Sequence, residues 1–502
     1  MPWRGWTGRR RREHAAMTTP RQTVTDAFTQ GFTVVPVVRR LVADDLTPVA
    51  ALDRVRESAH HFLFESVVGG ERVARYSMLG AEPRARIEGG RNGLVLIEGD
   101  DRRPLAGDPI AAVRSYLKGL RVAPTPGLPR FSGGLVGAFA YDLIRAYEPL
   151  PDAPPDALGL PEVSLGRYDT VAVFDHSHNH LLLISHADAA DGHRAYDRAV
   201  EAIDRLQARL TATRAPALVE PPAPAELPVR QHTSRERFHE SVRAIKEFIK
   251  AGDAFQVVLS QRLSAPCPYS PYQVYRSLRS LNPSPYLFCL NQGGHALVGA
   301  SPELLVRVED GRVAVRPIAG TALRGKDPEE DERLGRELLA DPKERAEHAM
   351  LIDLGRNDVG RVCAPGSVRL TERMVIERYS HVQHIVSHVE GRLRDGCDAL
   401  DALQVCHPAG TVSGAPKVRA MQIIDSLEPV RRSFYSGAVG YIDFKGNLDT
   451  AIALRTAILA NGEVHVQAGA GVVADSTPEG EYEETLRKAR ATLLAISRAG
   501  AF

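Results

Sequence analysis

Gln467-Ala468-Gly469-Ala470-Gly471-Val472-Val473-Ala474 is the stretch on which two architectures part. Its G-x-G-x-x-A spacing is that of a dinucleotide-binding turn, in which the glycines leave a strand and a helix opens at the third small residue. The glycines do follow a strand-like run here, but Val472-Val473 reads as further extended chain and Pro478 delays the next helix. The fingerprint therefore fails its context. What survives is a strand of small residues, either a glycine-rich bend in a sheet or a place where backbone N–H groups can approach an anion. A doubly wound parallel sheet loses its main support.

Just beyond, Ser476-Thr477-Pro478-Glu479 has the spacing of a helix start, and Tyr482, Leu486, Ala489, Leu493 and Ile496 form the apolar stripe of a terminal helix. That stripe leaves Glu481 and Glu484 off the core face. Upstream, Phe238, Val242, Ile245, Phe248 and Ile249 predict a helix that Ser234 opens and Gly252 closes. A strand from Phe255 to Leu263, a hairpin at Asp310-Gly311, helices from Glu329 to Leu354 and a hairpin at Lys445-Gly446-Asn447 follow in mixed order. No βαβ period repeats, so the class expected is α+β.

The first half, Thr33 to Ser185, is rich in short alternating or apolar runs such as Leu94-Val95-Leu96-Ile97 and Thr170-Val171-Ala172-Val173-Phe174. Val200, Ile203, Leu206 and Leu210 then mark a helix that runs into Pro216, Pro221, Pro222 and Pro224. These features predict a disordered basic tail over residues 1–24, a strand-rich domain over 25–212, a Pro/Ala linker over 213–229 and a second domain over 230–502. The tail holds Trp3, Trp6 and the run Arg9 to Arg12 with no apolar core of a signal peptide behind it, and Met17 is an alternative start.

A length of 502 residues excludes one small domain. Lysine and arginine total 63 against 62 acidic residues, so no global field draws nucleic acid or an anionic membrane. No run approaches the roughly 18 apolar residues of a membrane span. The five cysteines are odd in number and scattered, which disfavours a disulfide framework or a zinc cage. A soluble cytoplasmic protein is expected.

Two E-x-x-E pairs, Glu344/Glu347 and Glu481/Glu484, each lie near a predicted helix start. Residues three apart share a helix face, so each pair presents two carboxylates together. They can complement the helix dipole in water, or face each other and hold a hard cation such as Mg2+. Asp175-His176-Ser177-His178-Asn179-His180 reads as a polar hairpin loop rather than a metal tract. In the run from His381 to Val389, alternation places His384 and His388 on one side of a strand and His381 on the other. A strand histidine in a cleft can do acid or base work near neutral pH.

In chain order, five segments resemble the chorismate-utilising enzymes, and among them the anthranilate synthase large subunits: GDAFQVVLSQR (252–262), PIAGTALR (317–324), DLGRND (353–358), HPAGTVSGAPK (407–417) and YSGAVGY (435–441). The resemblance runs from about Thr33 to the end. It implies an α/β sandwich with antiparallel sheets and chorismate bound in the C-terminal unit. It implies Glu347 and Glu484 as Mg2+ ligands, with Glu344 and Glu481 as neighbours of the ion. Gly320, Thr321, Tyr435, Arg455, Gly469, Ala470 and Gly471 are the implied substrate contacts, and His384, Thr411 and Gln256 the implied catalytic positions. Chorismate is a dianion, so acidic side chains around it would repel it without a divalent cation. Arg455 suits bidentate pairing with the other carboxylate.

The implied reaction adds ammonia at C2 as the C4 hydroxyl leaves, then eliminates pyruvate to give anthranilate, an early step toward tryptophan. Relatives that use water carry a lysine where Gln256 stands, and an amide has no useful basicity. Aminodeoxychorismate synthases commonly have a lysine in place of Ala319, and alanine cannot attack the ring. That enzyme, or a silent tryptophan-binding homologue, is the alternative. No segment resembles a glutaminase, so a separate glutamine amidotransferase subunit is implied as ammonia donor, in a heterotetramer. LFES (63–66) and NPSPYL (282–287) resemble the two halves of the family's tryptophan site. Glu65, Ser66, Pro285, Tyr286 and Leu287 are accordingly expected to bind L-tryptophan as a feedback inhibitor.

Overall fold

The computed structural model describes residues 18–66, 75–212, 219–220, 223–379 and 382–502. Trp3, Trp6, the Arg9 to Arg12 run, His381 and parts of the expected linker lie outside the described residues. Among the described residues two 12-stranded sheets, antiparallel at every strand-to-strand pairing, form the centre. The first contains Val34–Val42, His60–Glu65, Tyr286–Gln292, Glu463–Val472 and Gln256–Pro266; the second contains Gly134–Phe139, Ile318–Leu323, Val382–Arg392 and Ala438–Asp443. The mixed class and the antiparallel sandwich expected from the sequence are what the fold has.

The local reasons are those of the sequence pattern. Asp310 and Gly311 both take positive φ, 50° and 76°, so Glu309 and Arg312 face each other across a two-residue turn. Ser234 Oγ accepts from the Arg237 N–H at the start of helix Arg235–Lys250. The decisive 467–474 stretch continues strand Glu463–Val472, with Gly469 opposite Ser260 and Gly471 opposite Val258.

Both sheets run through both halves of the chain. His60–Glu65 pairs with Tyr286–Gln292, and Gly134–Phe139 with Ala438–Asp443. Between the sheets lies an apolar layer that includes Phe62, Phe131, Val136, Tyr168, Phe288, Leu297, Val439 and Tyr441. Phe62 meets Tyr168 edge-on at 4.7 Å between ring centroids. Helices Ala195–Thr211, Pro271–Leu281 and Pro478–Arg498 cover the outer face of the first sheet, and Pro109–Lys118, Pro342–Gly360 and Ala399–Cys406 that of the second. The boundary at 213–229 thus divides the chain but not the sheets.

One boundary needs correction. Residues 21–24, expected in the disordered tail, open helix Arg21–Thr29, whose Val24 and Ala27 are buried against the first sheet. Val24, Ala27 and Phe28 recur at helical spacing, and that short stripe is what orders the segment. Among the described residues all five cysteines are free, and no helix is long and apolar enough to cross a membrane.

Candidate active site

Where strand Gln256–Pro266 runs beside Glu463–Val472, the small residues make room. A Cβ on Gly469 would lie 2.7 Å from the Tyr435 hydroxyl and 3.0 Å from the Leu259 carbonyl. One on Gly471 would lie 2.6 Å from Gln256 Nε2, which itself donates to Glu347 Oε1 at 3.4 Å. The glycines therefore keep backbone bare next to Tyr435 and Gln256, as the anion-approach reading requires.

The two carboxylate pairs come from opposite helices. Glu344 and Glu347 occupy the start of Pro342–Gly360, capped by Asp341; Glu481 and Glu484 occupy the start of Pro478–Arg498, where Thr477 Oγ1 accepts from the Gly480 N–H. Burial raises the proton affinity of Glu344, and the charges of Glu347, Asp341 and, from the other helix, Glu484 raise it further. Glu481 is likewise raised, by burial first and then by Glu484. Lys488 Nζ lies 2.8 Å from Glu484 Oε1 and donates to the Gly469 carbonyl at 3.0 Å. A Cβ on Gly320, whose φ is +65°, would come within 3.0 Å of Glu344 Oε2. Among the described residues no three acidic, histidine or cysteine side chains are already drawn together as a metal cage. The donor set is nonetheless all oxygen, like in charge and mutually repelling, and a hard divalent cation suits it.

Beside the carboxylates stands a group of polar side chains that the fold has dehydrated. Burial lowers the proton affinity of the Arg455 guanidinium, which makes no ion pair among the described residues and lies near Tyr379 and Glu303. Arg455 also takes φ 48°, an uncommon conformation for a side chain of this size. Burial pushes the Glu303 carboxyl up to about 8 against the pull of Thr411, Lys488 and Arg455. Thr411 sits in the short helix Gly410–Ser413, and its buried Oγ1 has no well-formed hydrogen bond among the described residues. His384 Nδ1 lies 2.8 Å from the Gly320 carbonyl and 3.2 Å from Thr321 Oγ1. The carbonyl can only accept, so Nδ1 carries the proton and Nε2 is left with its lone pair. Burial and Arg455 hold the ring neutral by lowering its proton affinity. Burial also pushes the Tyr435 phenol up to about 12, so it stays a donor.

The fold thus brings Gln256, Gly320, Thr321, Glu344, Glu347, His384, Tyr435, Gly469, Gly471, Glu481 and Glu484 into a chain of contacts, with Arg455 and Thr411 joined to it through Glu303. Ala470 lies between the two glycines, opposite Leu259. Glu303, Lys488 and Tyr379 were missed by the sequence reading. Glu303 offered one signal, a carboxylate leading directly into the apolar run Leu304-Leu305-Val306.

A second cleft lies on the seam between the halves. It is lined by Glu65 and Ser66 from one side and Pro285, Tyr286 and Leu287 from the other, over Tyr441 of the second sheet. All five residues expected at the effector site meet there. The Glu65 carboxylate is buried and already engaged by Tyr275 and by Arg279 Nε at 2.8 Å. It would therefore meet an amino group as part of an ion pair, not as a bare charge.

Residues 60–494 match the family of chorismate binding enzymes. The chain belongs to that family. It is 47% identical to an anthranilate synthase component 1 of Acetivibrio thermocellus over 477 residues, covering 93% of this chain and 96% of that one. It is 48% identical to the component 1 of Pseudomonas putida over 480 residues, with the same coverage of 93% and 96%. The crystal structure of anthranilate synthase component I from Streptococcus pneumoniae is similar in fold, with a TM-score of 0.77, 37% identity, and coverage of 90% of this chain and 98% of that one.

Proposed function

We propose that this chorismate-binding enzyme adds ammonia at C2 of chorismate with loss of the C4 hydroxyl, then eliminates pyruvate to leave anthranilate. The observation that carries the reading is the shared field of Glu344 and Glu484, two carboxylates from different helices, with a buried arginine that makes no ion pair among the described residues joined to them through Glu303 and Lys488. Mg2+, when held by Glu347 and Glu484 with Glu344 and Glu481 as neighbours, supplies the positive charge that lets a dianion settle among carboxylates. Arg455, already dehydrated, takes the second carboxylate with its planar fork, and Tyr435 and the backbone at Gly469, Ala470 and Gly471 orient it.

Glu303 holds its proton at neutral pH and can give it to the departing hydroxyl, with Thr411 beside it. His384 offers Nε2 as the base for the later proton removal, while Gly320 and Thr321 fix its ring. Gln256 has no basicity with which to activate water, and Ala319 offers no nucleophile, so external ammonia is the reacting base. Ammonia is scarce near pH 7, which supports a glutamine amidotransferase partner, the assembly being a heterotetramer. L-tryptophan in the seam cleft would act as inhibitor by favouring one arrangement of the two sheets.

Turnover with ammonium salt, with and without Mg2+, tests the reading. Wild type should release anthranilate and pyruvate only with the metal, and Glu484→Gln should lose at least about 100-fold. Activity that survives both metal removal and the substitution overturns it, as does an amino product that retains the enolpyruvyl group.

A further inference from the structure

Two segments pass from one sheet to the other side by side. Strand His295–Ser301 of the first sheet leads through Pro302 and Glu303 into Leu304–Glu309 of the second. Leu448–Ile452 of the second returns through Ala453, Leu454 and Arg455 into Thr456–Ala460 of the first. The two stay paired on both sides of the crossing, with Gly299 opposite Thr456 and Leu304 opposite Ala451. At the crossing the Ala300 N–H donates to the Arg455 carbonyl at 3.2 Å, and the Ile452 N–H to the Glu303 carbonyl at 3.1 Å. They form one two-stranded ribbon bent between the sheets, and Glu303 and Arg455 both sit at its bend. The glutamate pairs and the bare strand Glu463–Val472 lie on other elements. A shift of the ribbon therefore displaces the acid and the arginine together against the rest of the site.

The second-sheet arm of the ribbon carries Arg307 opposite Asp449, with Arg307 Nε donating to Asp449 Oδ2 at 2.8 Å. Tyr286 reaches this pair from the first sheet. Its hydroxyl accepts from Arg307 Nη2 at 3.1 Å and donates to Asp449 Oδ1 at 3.4 Å. Its own strand meanwhile sets it opposite Ser301, the last residue of the first-sheet arm. Ser301 is fully buried, and its Oγ accepts from the Glu303 N–H at 3.3 Å. One residue thus holds the ribbon on both sides of the bend, through strand pairing before it and through a hydroxyl after it.

We propose that the Tyr286 hydroxyl is a positioning group for the reaction: by fixing the angle of the ribbon, it sets where Glu303 and Arg455 stand against the glutamates. The inference rests on the roles given above to those two residues. Tyr286, Arg307 and Asp449 also line the seam cleft, so a ligand lodged there that strains the tie acts on the proton donor and the carboxylate receptor in one movement.

Tyr286→Phe removes the oxygen, keeps the ring and leaves the Arg307–Asp449 pair intact, so the variant should fold. With ammonium salt, Mg2+ and no effector, it should lower kcat and raise the KM for chorismate, each about fivefold or more, because acid and arginine move together. Hydrogen exchange supplies a readout that a general loss of stability would not give. The amides of Ala300 and Ile452 at the bend should exchange about fivefold or more faster than in wild type, while those of Glu463–Val472 keep their rates. Unchanged kinetics, a fall in kcat with KM untouched, or faster exchange spread evenly over the first sheet would each overturn the inference. Should wild type release no anthranilate, it is the reading of the reaction that fails, and the exchange comparison still decides whether the hydroxyl holds the bend.

Discussion

Glu303 shows how much of this site depends on environment. Burial keeps its proton in place at pH 7, and the acid form is lost as pH climbs through about 8. The rate should therefore fall on the alkaline side near pH 8, and Glu303→Gln should lower turnover by roughly 100- to 10,000-fold while abolishing that limb. Steady-state kinetics across pH 6 to 10, with circular dichroism to confirm folding, checks both. Spacing put each glutamate pair on one helix turn and alternation put His384 and His388 on one strand face, but only the resemblance singled out Glu347, Glu484 and His384 for a role. Glu303 was not legible, because its chemistry comes from the walls around it, of which the following apolar run Leu304-Leu305-Val306 is the one local trace. Arg455 was legible only through resemblance; its burial beside Glu303 and Tyr379 is a fact of packing.

At the scale of elements, strand Glu463–Val472 leaves its backbone bare beside Tyr435, since neighbouring atoms leave no room for a methyl group at Gly469. Gly469→Ala should displace Tyr435 or the Leu259 carbonyl and raise the KM for chorismate by about tenfold or more, with melting temperature little changed; kinetics and thermal unfolding of the variant measure the two effects. The turn beneath this strand is braced by Arg432, fully buried, which pairs with Glu428 at 2.6 Å and donates to the carbonyls of Val258 and Val412, each at 2.7 Å. Glu428 in turn accepts from the Ser260 N–H at 2.8 Å. Arg432→Met would leave that carboxylate buried without its ion-pair partner, at a cost of about 3–5 kcal/mol in denaturant unfolding. The sequence revealed the strand, because the dinucleotide reading failed on Val472, Val473 and Pro478. It did not reveal the brace, whose partners lie on three separate segments.

At the scale of the molecule, the proline-rich stretch suggested two domains, yet Glu65 faces Leu287 and Ala138 faces Val439 within continuous sheets. A strand's own alternation says which face is buried but not which distant strand supplies its hydrogen bonds, so the shared sheets could not be read from one sequence. Because neither half owns a complete sheet, heating should give a single cooperative transition in calorimetry; two resolved transitions would contradict the shared core. The same layout governs the protein's birth on the ribosome. The His60–Glu65 and Gly134–Phe139 strands emerge long before the Tyr286–Gln292 and Ala438–Asp443 strands that complete them, so the nascent chain carries two open, sticky edges through much of translation. Shielding of those edges by chaperones, more than the final stability, should set how much enzyme a cell obtains.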